Sequence, residues 1–197
     1  MTKKRDKRKP LGAARAIALI AAIMILVAAC GEAEKCSYDD KKAADLSGYK
    51  SIEDIRLVDT TVKEIEKMMK DGETFAFIAS FADCPFCNQL MPYFNEAAKR
   101  AGRRVGHLDT RKDPKWKNNM DIDDYDTFVK LFGKYLDKEE DGKEHLYTPM
   151  IFFIKNGEIV AYHKNVIEGA EDPNSSLTKT QENKLNKMLD EKFEQMN

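Results

Sequence analysis

The first 29 residues divide into a basic segment and an apolar segment. Lys and Arg side chains are concentrated between positions 3 and 15, and residues 16–29 form an apolar run that no charged residue interrupts. A membrane span needs about 20 apolar residues, so this run is too short for one. A basic segment before a short apolar run is typical of a secretory signal. The pattern therefore predicts a signal peptide over residues 1–29.

The segment after the apolar run shows no periodicity. From residue 31 to about 48 the chain is polar, and its few apolar side chains recur at neither the helical nor the strand spacing. We interpret residues 30–50 as the N-terminal segment and linker of the mature protein, and we expect one folded domain over residues 51–197. Cys36 lies within this linker, where we interpret it as an incidental thiol.

Strand-like and helix-like patterns alternate beyond the linker. A weak first strand is predicted over residues 52–58, followed by a helix with apolar side chains at helical spacing until Gly72 ends it. Asp59 or Thr60 is expected to cap that helix, because both side chains accept hydrogen bonds from free backbone N–H groups. Residues 74–81 are apolar on both faces, as in a strand buried at the centre of a sheet.

A second helix is predicted from Cys84 to Gly102, followed by a short strand over residues 105–109. Pro92 inside the helix is expected to kink it, because proline lacks the backbone donor and crowds the preceding turn. The alternation of strands and helices indicates an α/β domain.

The C-terminal part begins with a charged stretch and then repeats the alternation. A helical pattern covers residues 125–135, and apolar runs at 150–154 and 159–162 flank Asn156-Gly157. Asn-Gly between two apolar runs is the strongest short signal for a β-hairpin. Apolar positions over residues 185–196 predict a last helix.

Charge narrows the classes of partner. The whole chain has 33 basic and 34 acidic side chains, and its formal net charge is −1. Cleavage after residue 29 removes seven basic residues and one acidic residue, so the remaining 168 residues carry a net charge of about −7. That length suits one compact domain. Phosphate binding needs clustered Lys and Arg, so we expect no nucleic-acid partner.

The candidate chemistry lies in Cys84-Pro85-Phe86-Cys87, at the junction between an apolar strand and a helix. Two thiols separated by two residues can close a disulfide, and the helix dipole stabilises a thiolate at the first of them. The pattern predicts thiol–disulfide exchange, in which Cys84 attacks a substrate disulfide and Cys87 resolves the mixed disulfide. This chemistry needs no cofactor.

The order of elements, together with three motifs, resembles the thioredoxin superfamily from about Ser51 to the C-terminus. The motifs are the cysteine pair after a strand, Pro92 five residues beyond the second cysteine, and Thr148-Pro149 before the hairpin. The resemblance implies a thioredoxin fold, in which helices flank a central mixed β-sheet, and a cis peptide bond at Pro149 beside the cysteines. It also implies that an extended substrate segment contacts Thr148, Pro149, Pro85 and Phe86.

The end of the apolar run resembles a bacterial lipoprotein signal, because Val27-Ala28-Ala29-Cys30 places small residues and a cysteine there. This resemblance implies lipidation of Cys30 and a location on the extracytoplasmic face of the bacterial cell membrane. The whole layout is similar to small lipid-anchored thioredoxin-like proteins, including those called bacteriocin transport accessory proteins. The expected partners are therefore protein or peptide thiols and disulfides, a redox partner that recycles the cysteines, and the membrane.

Two positions depart from thioredoxin. That family has an aromatic residue directly before the first cysteine and a buried Asp six residues before it, where this chain has Asp83 and Ile78. Without the buried carboxylate, Cys87 needs water or another base to lose its proton. The negative charge of Asp83 disfavours the Cys84 thiolate and opposes the helix dipole.

Two alternatives stay open at this point. A single Cys-x-x-Cys pair supplies half of a structural zinc site, but the three histidines of the chain lie far apart and at no ligand spacing, so we expect no metal. The second alternative is a non-catalytic adaptor with a thioredoxin fold that supports peptide or bacteriocin export, with the charged stretch from Trp116 to Asp126 as its contact surface. Replacement of Cys84 by Ser separates adaptor from enzyme, because an adaptor keeps its function.

Overall fold

The structure, a computed structural model, describes residues 36–49, 52–111 and 122–197. The predicted signal peptide, Cys30 and Trp116 lie outside these ranges. In chain order the elements are β1 Leu57–Asp59, α1 Val62–Lys70, β2 Phe75–Ser80, α2 Pro85–Arg100, β3 Val105–Asp109, α3 Ile122–Phe132, a 3-10 turn Gly133–Tyr135, β4 Asp137–Lys138, β5 Glu144–His145, β6 Met150–Lys155, β7 Glu158–Lys164 and α4 Lys179–Glu194. No helix within the described ranges is both long and apolar enough to cross a bilayer.

The main sheet has five strands in the order β1-β3-β2-β6-β7. Strands β1, β2 and β3 are mutually parallel, β6 runs antiparallel to β2, and β7 runs antiparallel to β6. A mixed sheet of this order, with helices on both faces, is the thioredoxin fold, so the predicted fold is confirmed. Strands β4 and β5 form a separate two-stranded hairpin that the sequence patterns did not predict.

An apolar core lies on each face of the sheet. Successive strand residues point to opposite faces, so β2 contributes Ile78 to the core under α2 and α4, and Phe77 to the core under α1 and α3. All six residues of β2 are buried, as the apolar run predicted for a central strand. The strand that leads to the cysteine pair is therefore held from both sides.

The N-terminal cap of α1 differs from the predicted one. Thr61 caps the helix, and its hydroxyl accepts a hydrogen bond from the backbone N–H of Glu64 at 3.2 Å. The Glu64 carboxylate accepts one in return from the Thr61 N–H at 3.0 Å, which completes a capping box. Asp59 and Thr60 do not cap the helix, because Asp59 belongs to β1 and the Thr60 hydroxyl accepts a hydrogen bond from buried Tyr38 at 3.2 Å.

The linker prediction is wrong for residues 36–49, because this segment packs onto both faces of the sheet. Tyr38 is fully buried in the core under α1 and α3, while Leu46 and Tyr49 are buried in the core under α2 and α4. The backbone N–H of Ala44 donates to the carbonyl of Leu57 in β1 at 2.9 Å. The compact folded unit therefore begins at Cys36 rather than at residue 51.

Cys36 is correspondingly a buried thiol and not an exposed thiol in a linker. Its residue is only 7% exposed, and burial raises the pKa of the thiol to about 11. A thiol with such a pKa is almost entirely protonated at neutral pH, so it is a poor nucleophile.

Candidate active site

A short turn at the carboxyl end of β2 places the cysteine pair. After Ser80 the strand ends, and the backbone N–H of Cys84 donates to the carbonyl of Phe81 at 3.1 Å. Cys84 is the N-terminal cap of α2, and Pro85 occupies the first turn of that helix, where its missing N–H is of no consequence. The amide of Asn88 fixes the turn from inside the helix, because its Nδ2 donates to the carbonyls of Ala82 and Cys84.

Cys84 and Cys87 form a disulfide, with their Cα atoms 5.1 Å apart. The backbone N–H of Cys87 points at the Cys84 sulfur, and the N···Sγ distance is 3.1 Å. In the reduced protein the same N–H group stabilises a thiolate at Cys84, together with the other free N–H groups of the helix terminus. Cys87 has no exposed surface and Cys84 is 5% exposed, so an external sulfur reaches Cys84 first.

The segment before β6 lies directly against the disulfide. The carbonyl oxygen of Thr148 is 3.7 Å from the Cys84 sulfur, and the Thr148 hydroxyl oxygen is 3.8 Å from it. The peptide bond between Thr148 and Pro149 is cis. Antiparallel pairing of β6 with β2 causes this approach, because its register sets Met150 opposite Ala79 and so brings the residues before β6 to the residues after β2.

The structure thus assembles the predicted site residues at one end of the sheet. Thr148 contacts Cys84, and buried Pro149 follows it. Within the cysteine pair, Pro85 is exposed and Phe86 is half-buried, so both are available beside the disulfide. Asp83 is exposed directly before Cys84. Their roles in binding remain predictions.

Tyr49, Ser80 and His107 form a buried polar network on the same face of the sheet as α2, next to the exposed carboxylate of Asp59, and no sequence pattern indicated it. The Tyr49 hydroxyl oxygen is 2.9 Å from Ser80 Oγ and 3.0 Å from His107 Nε2, and His107 Nδ1 is 3.5 Å from an Asp59 carboxylate oxygen. His107 pairs in the sheet with Ile78, the position at which thioredoxin has its buried Asp. Burial raises the pKa of Tyr49, so the phenol stays protonated.

A positive and a negative side chain both lie at the turn before Cys84. The Arg111 guanidinium lies 3.6 Å from the centroid of the Phe81 ring, which forms part of the turn before Cys84. This cation–π contact places a positive group on the same turn that carries the negative Asp83. In the part of the chain that the structure describes, no three His, Cys, Asp or Glu residues are grouped so that they could hold a metal ion.

Comparison with family models and with curated proteins gives no match. Solved structures with some similarity include a putative oxidoreductase with a thioredoxin fold, at 13% identity and a TM-score of 0.40, covering 55% of this chain and 82% of that chain. A poplar thioredoxin h has 16% identity and a TM-score of 0.35, covering 57% of this chain and 86% of its own. A mutant of poplar thioredoxin h has 15% identity and a TM-score of 0.35, covering 77% and 92%. The order and directions of the five strands identify the thioredoxin fold.

Proposed function

We propose that this protein is a thiol–disulfide oxidoreductase that exchanges disulfides through Cys84 and Cys87. The observation that carries the proposal is the disulfide at the first turn of α2, in which only Cys84 retains exposed surface and the Thr148 carbonyl lies 3.7 Å from its sulfur. An external sulfur can therefore reach only Cys84. Exchange through a mixed disulfide requires such an attack on one sulfur of the pair.

The reaction proceeds in two balanced steps when the reduced protein meets a substrate disulfide. The Cys84 thiolate attacks one substrate sulfur, the substrate S–S bond breaks, and the second substrate sulfur leaves as a thiolate that takes up a proton. Cys87, deprotonated, then attacks the Cys84 sulfur, and the first substrate sulfur leaves in the same way. Two electrons pass from the cysteine pair to the substrate, and the reverse sequence oxidises a substrate dithiol.

Substrate and location are part of the proposal. An extended polypeptide segment lies along Thr148 and Pro149, with Pro85 and Phe86 on the other side of the disulfide, because a backbone carbonyl beside the reacting sulfur favours strand-like pairing. A second protein recycles the cysteine pair. Lipidation of Cys30 holds the domain on the extracytoplasmic face of the membrane. A Cys30→Ala variant that stays in the membrane fraction, with no mass difference from the wild type beyond the substitution itself, would contradict this anchoring.

The test of the activity is turnover of a generic protein disulfide, such as that of insulin, with dithiothreitol as reductant, and oxidation of a reduced substrate in the reverse assay. Cys84→Ser should abolish both activities. Cys36→Ser is the matched control, because it removes a buried thiol remote in sequence from the pair, and it should retain activity. Wild-type protein with no turnover in either direction would refute the proposal and would favour the adaptor.

A further inference from the structure

We infer that Tyr147 selects among substrates by contacting the side chain next to the reacting cysteine of the substrate, and that it favours an apolar side chain there over an acidic one. This inference rests on the proposed function. It adds a substrate contact outside the motifs Cys84–Cys87 and Thr148-Pro149.

Tyr147 is an exposed aromatic residue placed one position from the redox contact. It directly precedes Thr148, whose carbonyl and hydroxyl both lie against the Cys84 sulfur. Large apolar or aromatic side chains are exposed at three of the described positions, and Tyr147 is the most exposed of them at 50%, ahead of Tyr162 at 42% and Val160 at 37%. The other two belong to β7, which forms an edge of the sheet.

The β4–β5 hairpin holds the Tyr147 ring in place. The phenol hydroxyl donates a hydrogen bond to the carboxylate of Glu139, in the loop between β4 and β5. The hairpin itself is fastened to the domain by an ion pair between Asp137 and Lys164 at 2.6 Å and by a hydrogen bond from the Tyr125 hydroxyl to the Glu144 carbonyl at 2.8 Å. The contact with Glu139 places the Tyr147 hydroxyl at the acidic loop of the hairpin.

The direction of neighbouring side chains defines which substrate residue meets the ring. Side chains of an extended segment alternate from one side to the other. If the substrate cysteine faces Cys84 and the substrate pairs with the segment at Thr148, the side chain of the next residue points away from the disulfide, as does that of Tyr147, which precedes Thr148 by one position. An apolar side chain gains contact area on the ring. The β4–β5 hairpin, residues 137–145, has five acidic and two basic side chains, and both of its lysines pair with acidic groups of the hairpin. Its net charge is therefore negative, which disfavours a substrate carboxylate beside the ring.

The test uses the reduced full-length protein and three disulfides that share one chromogenic leaving group, thionitrobenzoate. Two are peptides with a single cysteine, followed by Leu in one and by Glu in the other, and the third is the mixed disulfide of 2-mercaptoethanol. Attack by Cys84 forms a disulfide with the peptide or small thiol and releases thionitrobenzoate, whose absorbance gives the second-order rate constant. Equal leaving groups make the three rate constants directly comparable.

Wild-type protein should react several-fold faster with the Leu peptide than with the Glu peptide. Tyr147→Ala should lower the rate constant for the Leu peptide about tenfold, or about 1.4 kcal/mol, with a smaller loss for the 2-mercaptoethanol disulfide. Tyr147→Phe keeps the ring and removes only the hydroxyl bonded to Glu139, so it should lose less of the preference than Tyr147→Ala, which protects the test against misfolding of the alanine variant. Tyr162→Ala, the matched exposed control on β7, should behave as wild type.

The outcomes separate the two proposals. Equal rate constants for both peptides in the wild type, or equal losses toward all three disulfides in Tyr147→Ala, would overturn the inference while leaving the redox function in place. Absence of reaction with all three disulfides would refute the proposed function and the inference with it.

Discussion

The burial of Tyr38 leads to a direct test of where the folded domain begins. The ring is fully buried and packs edge-on against Phe75, with ring centroids 5.7 Å apart. Its hydroxyl donates a hydrogen bond to the Thr60 hydroxyl. Truncation of a buried aromatic side chain to alanine destabilises a protein by about 3–5 kcal/mol, because apolar contacts are lost and a cavity remains. We therefore expect Tyr38→Ala to lower the free energy of unfolding by about that amount.

A second variant separates the two contributions. Tyr38→Phe keeps the ring and removes only the hydrogen bond to Thr60, so we expect a loss of about 1 kcal/mol. Gly106 also shows how closely Tyr38 is packed. A Cβ added at this position would lie 2.5 Å from the Tyr38 hydroxyl oxygen and 2.9 Å from Phe77 Cβ. Gly106→Ala should accordingly destabilise the protein, and less so when Tyr38 is alanine.

Urea unfolding followed by circular dichroism measures these differences. With a slope of about 2 kcal/mol per M urea, a loss of 3–5 kcal/mol moves the midpoint down by about 1.5–2.5 M. Lys42→Ala, an exposed change in the same segment, is the matched control and should shift the midpoint little. A midpoint for Tyr38→Ala within the error of the Lys42→Ala value would mean that residues 36–49 are the linker that the sequence pattern predicted.

Two further predictions concern other buried groups. In a Cys30→Ser background with the pair oxidised, iodoacetamide should alkylate Cys36 only after unfolding, because the thiol is buried and its pKa is about 11; rapid labelling of the native protein, detected by mass, would show an exposed thiol. Burial lowers the pKa of His163, whose Nε2 lies 2.8 Å from the Val166 carbonyl, so the unfolded chain binds a proton more readily than the folded one. The free energy of unfolding should therefore fall as the pH drops through the ordinary histidine value of about 6.5. His163→Gln should reduce that slope, and an unchanged slope would assign it to other groups.

Regular elements were predictable because their signals are local. The predicted third strand, residues 105–109, coincides with β3 Val105–Asp109, and the apolar run 74–81 contains β2 Phe75–Ser80. Periodicity, caps and turn residues act over a few positions, so a sequence window contains all the information that they need.

The sequence predictions are wrong where contacts between distant parts of the chain determine the structure. Tyr38 and Tyr49 are isolated aromatic residues in a polar segment without helix or strand, so no periodicity revealed that both are buried. The same cause hid the contact of Tyr49 with Ser80 and His107, which join three separate parts of the chain. Thr61 caps α1 instead of Thr60, because the Thr60 hydroxyl accepts a hydrogen bond from Tyr38. Tyr38 belongs to the segment that was predicted to be a linker.

The sequence alone determined the cysteine pair, its position between a buried strand and a helix, and the hairpin that begins after Thr148-Pro149, because each of these depends on neighbours along the chain. Only the tertiary structure decided which groups surround the sulfur. Antiparallel pairing of β6 with β2 brings Thr148 to Cys84 across 64 residues, and the packing of the domain leaves Cys84 slightly exposed while Cys87 is fully buried. These relations arise from strand register and packing, which no local stretch of sequence contains.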